Sequence, residues 1–110
     1  VTLVCHADTV FEKENGFQGF EWLDDRYARG PGVIDDKGSM VVLLLALEKF
    51  FAGSAPPPSI RVLCTPTEEL GSPGFTSALL KLGDTTRFAL GFEPALADGS
   101  VVHSRQGNLW

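Results

Sequence analysis

Three short apolar runs rich in strand-forming residues alternate with two helical runs, and this alternation limits the fold more than any other feature. The strand-like runs are predicted at Val1–Cys5, Ile60–Cys64 and Phe88–Phe92. Helices are predicted over Lys37–Ala52 and Phe75–Leu82. The second helix is expected to begin a few residues before Phe75. This order is typical of an α/β sheet with helices packed on its faces.

The first predicted helix is apolar on both sides. Its apolar positions are Met40, Leu43, Leu44, Leu47 and Phe51 on one face and Val41, Val42 and Leu45 on the other. We therefore expect this helix to be covered nearly all round.

The connections between these elements carry weaker signals. Phe11–Asp25 is expected to be irregular, and Arg26–Arg29 is expected to form a short edge strand. The prolines of Gly53–Ser59 predict a stiff link. Ala97–Ser100 is predicted to be a turn, and Val101–His103 to begin a further strand.

Composition excludes several classes of protein. The chain has 110 residues, 44% of them hydrophobic, which is enough for one globular domain. A net charge of −5 argues against nucleic acid or an anionic membrane as a partner. The longest unbroken apolar run, Met40–Leu47, is far shorter than a membrane span. Cys5 and Cys64 lie inside strand-like runs, which favours buried free thiols.

Acidic and imidazole side chains follow each predicted strand directly, and one more carboxylate opens the main helix. These residues are His6 and Asp8, Glu68 and Glu69, Glu93, and Asp35. Because the carboxyl ends of strands in an α/β sheet meet at one edge, we expect these side chains to converge there. One histidine among several carboxylates would repel strongly without a cation. The mixture favours zinc, manganese or cobalt over calcium.

The spacing of these residues suggests roles. His6 and Asp8 point to the same side of an extended chain, so Asp8 can accept the far ring N–H of a metal-bound His6. Glu68 and Glu69 diverge, so that one can bind metal while the other serves as general base.

Each signal also has an ordinary structural explanation. The aspartates of Asp35-Asp36 could cap the helix that follows, and Lys37 could simply pair with Asp36. The Glu68-Glu69 pair could belong to a solvated loop, and Glu93 could be a cap.

Four stretches together resemble a known family, the co-catalytic zinc exopeptidases and amidohydrolases. They are HADTV at His6–Val10, GPGVIDDKGSM at Gly30–Met40, TEELGSPG at Thr67–Gly74 and FEP at Phe92–Pro94. The family includes glutamate carboxypeptidase, aminoacylase, acetylornithine deacetylase and succinyl-diaminopimelate desuccinylase. The resemblance looks closest to the glutamate carboxypeptidase branch. It implies a three-layer catalytic domain with a central mixed sheet flanked by helices.

The resemblance also implies a role for each site residue. Asp35 would bridge two zinc ions, for which cobalt or manganese could substitute. His6 and Glu93 would bind one zinc and Glu69 the other. Glu68 would be the general base on the bridging water, and Asp8 would orient His6. A cis peptide bond is implied between Asp35 and Asp36. The implied reaction is hydrolysis of an amide or peptide bond in a small peptide or N-acyl amino acid.

By the same resemblance, residues 1–110 are expected to be the N-terminal part of a catalytic domain. A second-metal histidine, a C-terminal catalytic segment and a lid or dimerisation domain would lie outside them. We expect this chain to be inactive alone, and a homodimer to form through the lid domain. A non-catalytic relative that serves as a binding or dimerisation module is the alternative. A magnesium-dependent phosphoryl-transfer domain is disfavoured by His6 as a ligand.

Overall fold

The fold is described from a computed structural model, which covers residues 1–53, 58–102 and 104. In chain order the strands are β1 (Thr2–His6), β2 (Glu21–Trp22), β3 (Ala28–Arg29), β4 (Arg61–Thr65) and β5 (Ala89–Gly91). The helices are α1 (Lys37–Phe51) and α2 (Thr76–Gly83), and short 3₁₀ turns occupy Lys13–Asn15 and Glu68–Leu70.

The main sheet is parallel and places β1 in the middle. Its strand order is β4-β1-β5, with Cys5 opposite Cys64 and His6 opposite Thr65. β1 is short and almost entirely buried, as a central strand should be when both of its faces are covered. Its last residue, His6, therefore emerges at the middle of the sheet's carboxyl edge.

The two helical connections pass on opposite faces of this sheet. The β1-α1-β4 and β4-α2-β5 connections run in opposite directions across the sheet, and right-handed crossovers then place their helices on opposite sides. Leu3 and Cys5 pack with Leu43 of α1. On the other face, the hydroxyl of Thr2 lies 2.8 Å from that of Thr86, which follows α2. The predicted α/β fold is confirmed.

The prediction that α1 is covered nearly all round is wrong. Within the part of the chain that the structure describes, Leu43 is the buried residue of α1, and Met40 and Leu47 pack partly against the core. More than half of each remaining predicted side chain is exposed, namely Val41, Val42, Leu44, Leu45 and Phe51. A helix that lies on a small sheet meets it along one stripe only, which explains the difference.

Most predicted boundaries agree with the structure to within a residue or two. Of the predicted edge strand, Ala28–Arg29 forms β3 and pairs with β2, which lies inside the stretch expected to be irregular. α2 does not start early, because Gly74 has φ +80° and the helix begins after it. Val101-Val102 is not a strand. His103, residues 105–110 and residues 54–57 of the predicted stiff link lie outside the described residues.

The cysteines agree with the prediction only in part. Both are free thiols; Cys5 is buried, but Cys64 is exposed because β4 is an edge strand. Neither described helix has the length and hydrophobicity needed to cross a bilayer.

Candidate metal centre

The residues singled out in the sequence meet at the carboxyl edge of the sheet. His6 ends β1, Glu68 and Glu69 follow β4, and Glu93 follows β5. Asp35 lies just before α1. β1 and β4 are neighbours whose connections leave toward opposite faces, and the crevice that this creates is where open α/β sheets place their ligands.

His6 is the centre of the cluster. Its side chain is 1% exposed, and its Nε2 lies 2.9 Å from Asp35 Oδ1 and 4.0 Å from Glu93 Oε2. On the other side of the ring, Nδ1 faces Asp8 Oδ1 at 3.4 Å without forming a hydrogen bond. The imidazole is thus enclosed by carboxylates from three separate segments.

Asp8 also makes contacts that the sequence did not indicate. Its Oδ1 accepts the backbone N–H of Glu68 and its Oδ2 accepts that of Glu69, each at 3.0 Å. These two N–H groups open the 3₁₀ turn, which would otherwise leave them unpaired. No local pattern could have revealed this bond, because its partners are 60 positions apart.

The two adjacent aspartates do not cap α1. Asp36 occupies the N-cap position but makes no side-chain capping bond. Instead its side chain is completely buried, and its Oδ2 accepts the backbone N–H of His6 at 3.1 Å. The peptide bond between Asp35 and Asp36 is cis, as the resemblance implied. Lys37 forms no ion pair with Asp36 among the described residues; it extends past Gly32.

Two groups of donor atoms are close enough to hold a cation. One contains His6, Asp35 and Glu69, and the other contains His6, Glu68 and Glu93. Within each group, all donor atoms lie within 4.8 Å of one another. An imidazole nitrogen combined with carboxylate oxygens is a donor set that suits zinc, cobalt or manganese. The residues present therefore fit such a metal.

The pKa shifts show in which direction these groups influence one another. Burial alone would favour neutral His6, but the hydrogen bond to Asp35 and the charge of Glu93 outweigh it and raise the His6 pKa. Burial, followed by the charge of Asp35, raises the pKa of Glu69. Burial and the charge of Glu68 do the same to the pKa of Glu93. A bound cation would favour the ionised form of these carboxylates and lower their pKa values.

Asp8 behaves in the opposite way. Burial tends to raise its pKa, yet the backbone N–H groups of Glu69 and Glu68 outweigh this effect and hold the pKa below its usual value. Asp8 is therefore an ionised anchor for the turn that carries both glutamates.

A cavity of about 890 Å³ adjoins the cluster. Asp35 and Glu93 form part of its wall, and Leu96, Val101 and Val102 contribute apolar surface. A space of this volume with a few polar groups along an apolar wall is typical of a small-molecule site.

A comparison with protein families agrees with this geometry. The family model described as Peptidase family M20/M25/M40 matches residues 2–107. The matched range includes every residue of the cluster. A search of curated proteins and a search of solved structures each found no match.

Proposed function

This chain belongs to peptidase family M20/M25/M40, and on that premise we propose that it forms part of a zinc-dependent hydrolase that cleaves a peptide or amide bond. Family membership supports peptidase or amidohydrolase function in general. The observation that carries the more specific proposal is the convergence of two donor groups on His6, each with all its donor atoms within 4.8 Å.

The proposed ligands are the imidazole of His6 and the carboxylates of Asp35, Glu69 and Glu93. When bound, zinc would supply Lewis-acid polarisation of the substrate carbonyl and lower the pKa of the attacking water. Asp35 is the proposed bridging residue of a two-zinc centre. Asp35 shares a donor group with His6 and Glu69, which supports it as a ligand, and its bridging role is taken from the resemblance.

Glu68 is the proposed general base. Its side chain is exposed, while Asp8 holds its backbone N–H at 3.0 Å. A carboxylate that is exposed at its tip and fixed at its backbone can accept a proton from the attacking water. The same carboxylate can then deliver the proton to the leaving amine. Asp8 faces His6 Nδ1 as well, so one residue would position both the ligand and the base.

The proposed substrate is a small peptide or an N-acyl amino acid, as in the carboxypeptidases and deacylases, with the glutamate carboxypeptidase branch as the first to test. The cavity beside Asp35 and Glu93 supports this choice, because its apolar wall and volume suit a molecule of that size. We include no nucleic acid or membrane among the proposed partners. A homodimer through a separate lid domain also belongs to the proposal.

Hydrolysis of a panel of dipeptides and N-acyl amino acids by the purified, zinc-loaded full-length protein tests this function, because residues 1–110 alone are expected to be inactive. We expect Glu68→Gln to lower kcat by about 100-fold or more, the usual contribution of a general base, while zinc content stays unchanged. Glu14→Gln is the matched control, since Glu14 is also an exposed acid in a 3₁₀ turn. Zinc binding without hydrolysis of any member of the panel would favour the non-catalytic alternative. Full activity in Glu68→Gln would exclude Glu68 as the base.

A further inference from the structure

We infer that Asp36 is a positioning residue, whose carboxylate fixes the backbone of His6 so that the imidazole meets Asp35. This inference rests on the proposed function, because it treats His6 and Asp35 as metal ligands. It assigns a task to a buried charged side chain that neither binds metal nor transfers a proton in the proposed reaction.

The argument begins with the hydrogen-bonding pattern of β1. The N–H of Thr2 bonds to Phe88 beside β5, whereas the N–H of Ala7 bonds to Thr65 on β4. Because successive residues of a strand face opposite neighbours, the N–H of His6 faces the β5 side. β5 ends at Gly91, so its ladder with β1 stops at Val4. His6 therefore leaves the sheet with an N–H that the ladder does not satisfy.

Asp36 supplies the missing acceptor. Its Oδ2 lies 3.1 Å from the His6 nitrogen, and both residues are almost completely buried. A buried N–H without a partner is costly, so this bond determines where the end of β1 can lie. It joins two segments 30 positions apart at the point where both carry a proposed ligand.

The other carboxylate oxygen indicates that Asp36 is not placed there for general stability. Asp36 Oδ1 is also buried, and it has no hydrogen-bond partner among the described residues. A buried carboxylate with one oxygen that lacks a hydrogen bond destabilises the folded state, so it is a poor choice for stabilising a helix start. Its presence is explained if the site requires the single bond to His6.

Two substitutions of nearly equal shape separate these explanations. Asp36→Leu removes both oxygens, whereas Asp36→Asn keeps an acceptor for the His6 N–H. We expect the zinc affinity of Asp36→Leu to fall about 10- to 100-fold, as for other residues that orient metal ligands, while Asp36→Asn stays within about 10-fold of wild type. The visible absorption of the cobalt-substituted protein should change in the Leu variant and not in the Asn variant.

Thr2→Val is the matched control for general damage to the core. Thr2 is a buried polar residue at the other end of β1, and its hydroxyl bonds to Thr86. This variant should lose stability while keeping the zinc affinity and the cobalt spectrum of wild type.

Hydrogen exchange of the His6 amide, followed by NMR in metal-free protein, provides a readout that does not depend on zinc. We expect protection in wild type and Asp36→Asn, and loss of protection in Asp36→Leu. Should the Leu variant fail to fold, the Asn variant still decides, because a folded Asn variant with an unprotected His6 amide would overturn the inference.

The possible outcomes distinguish failure of this inference from failure of the proposed function on which it rests. A wild-type full-length protein that binds no zinc would contradict the proposed function. Wild-type affinity and His6 protection in Asp36→Leu, in a protein that does bind zinc, would overturn only the role of Asp36.

Discussion

The carboxylate of Asp8 accepts the backbone N–H of Glu68 at 3.0 Å, across 60 positions of the chain. Its second oxygen accepts the next backbone N–H, that of Glu69, at the same distance. The turn that carries the proposed base and a proposed ligand is thereby fixed to the end of β1.

Asp8→Ala should therefore destabilise the protein and misplace both glutamates. We expect the free energy of unfolding to fall by about 2 kcal/mol, because two charge-assisted hydrogen bonds are lost from a side chain that is only 18% exposed. Urea denaturation measures this loss. Asp98→Ala is the matched control: Asp98 also accepts a backbone N–H, but in a fully exposed turn, so its removal should have a much smaller effect. Equal stability of the two variants would contradict the anchoring role.

Gly38→Ala should disturb the start of α1 beside the site. A Cβ at this position would overlap the backbone carbonyl oxygen of Val33, so the chain would have to shift. Overpacking of this kind costs about 1–3 kcal/mol, and here it should also lower zinc affinity because Asp35 lies three residues away.

Gly83→Ala provides the comparison for that substitution. Gly83 ends α2, and a Cβ there would meet no atom within 4 Å. Alanine is the better helix former, so this variant should be as stable as wild type or up to about 1 kcal/mol more stable in thermal or urea denaturation. A Gly38→Ala variant that is equally stable would show that the helix start tolerates a side chain.

The two cysteines should differ sharply in reactivity. Burial, followed by the neighbouring Cys64, raises the pKa of Cys5 to about 11, so little thiolate forms near neutral pH. Cys64 is exposed. Alkylation followed by mass spectrometry should therefore modify one thiol in native protein and both after unfolding, and Cys64→Ser should abolish the native reaction. Rapid modification of Cys5 in that variant would contradict the burial of β1.

The sequence was most informative where a local strand pattern also determines where the next residues lie in the folded sheet. Strand-like runs that are followed within a few residues by His6, Glu68 or Glu93 predicted both the sheet and the edge at which these side chains meet. That inference works because parallel strands necessarily bring their carboxyl ends together.

The contacts of Asp8 and Asp36 could not be predicted in the same way. Each accepts a backbone N–H from a distant segment, and the need for that bond arises only after β5 has ended or the 3₁₀ turn has formed. At the level of sequence, Asp36 looks like an ordinary helix cap. The exposure of α1 was also missed, because apolar composition does not say how much of a helix a neighbouring sheet covers.

The zinc content of the purified full-length protein, measured by elemental analysis beside Asp35→Asn, tests the central claim most directly. We expect close to two zinc ions per chain in the wild-type protein and a sharp fall in the variant, since Asp35 is the proposed bridge. Asp25→Asn, a change at an exposed aspartate outside the cluster, should keep the wild-type content. A folded wild-type protein without bound metal, even after zinc is supplied, would contradict the account, as would an Asp35→Asn variant with full zinc content.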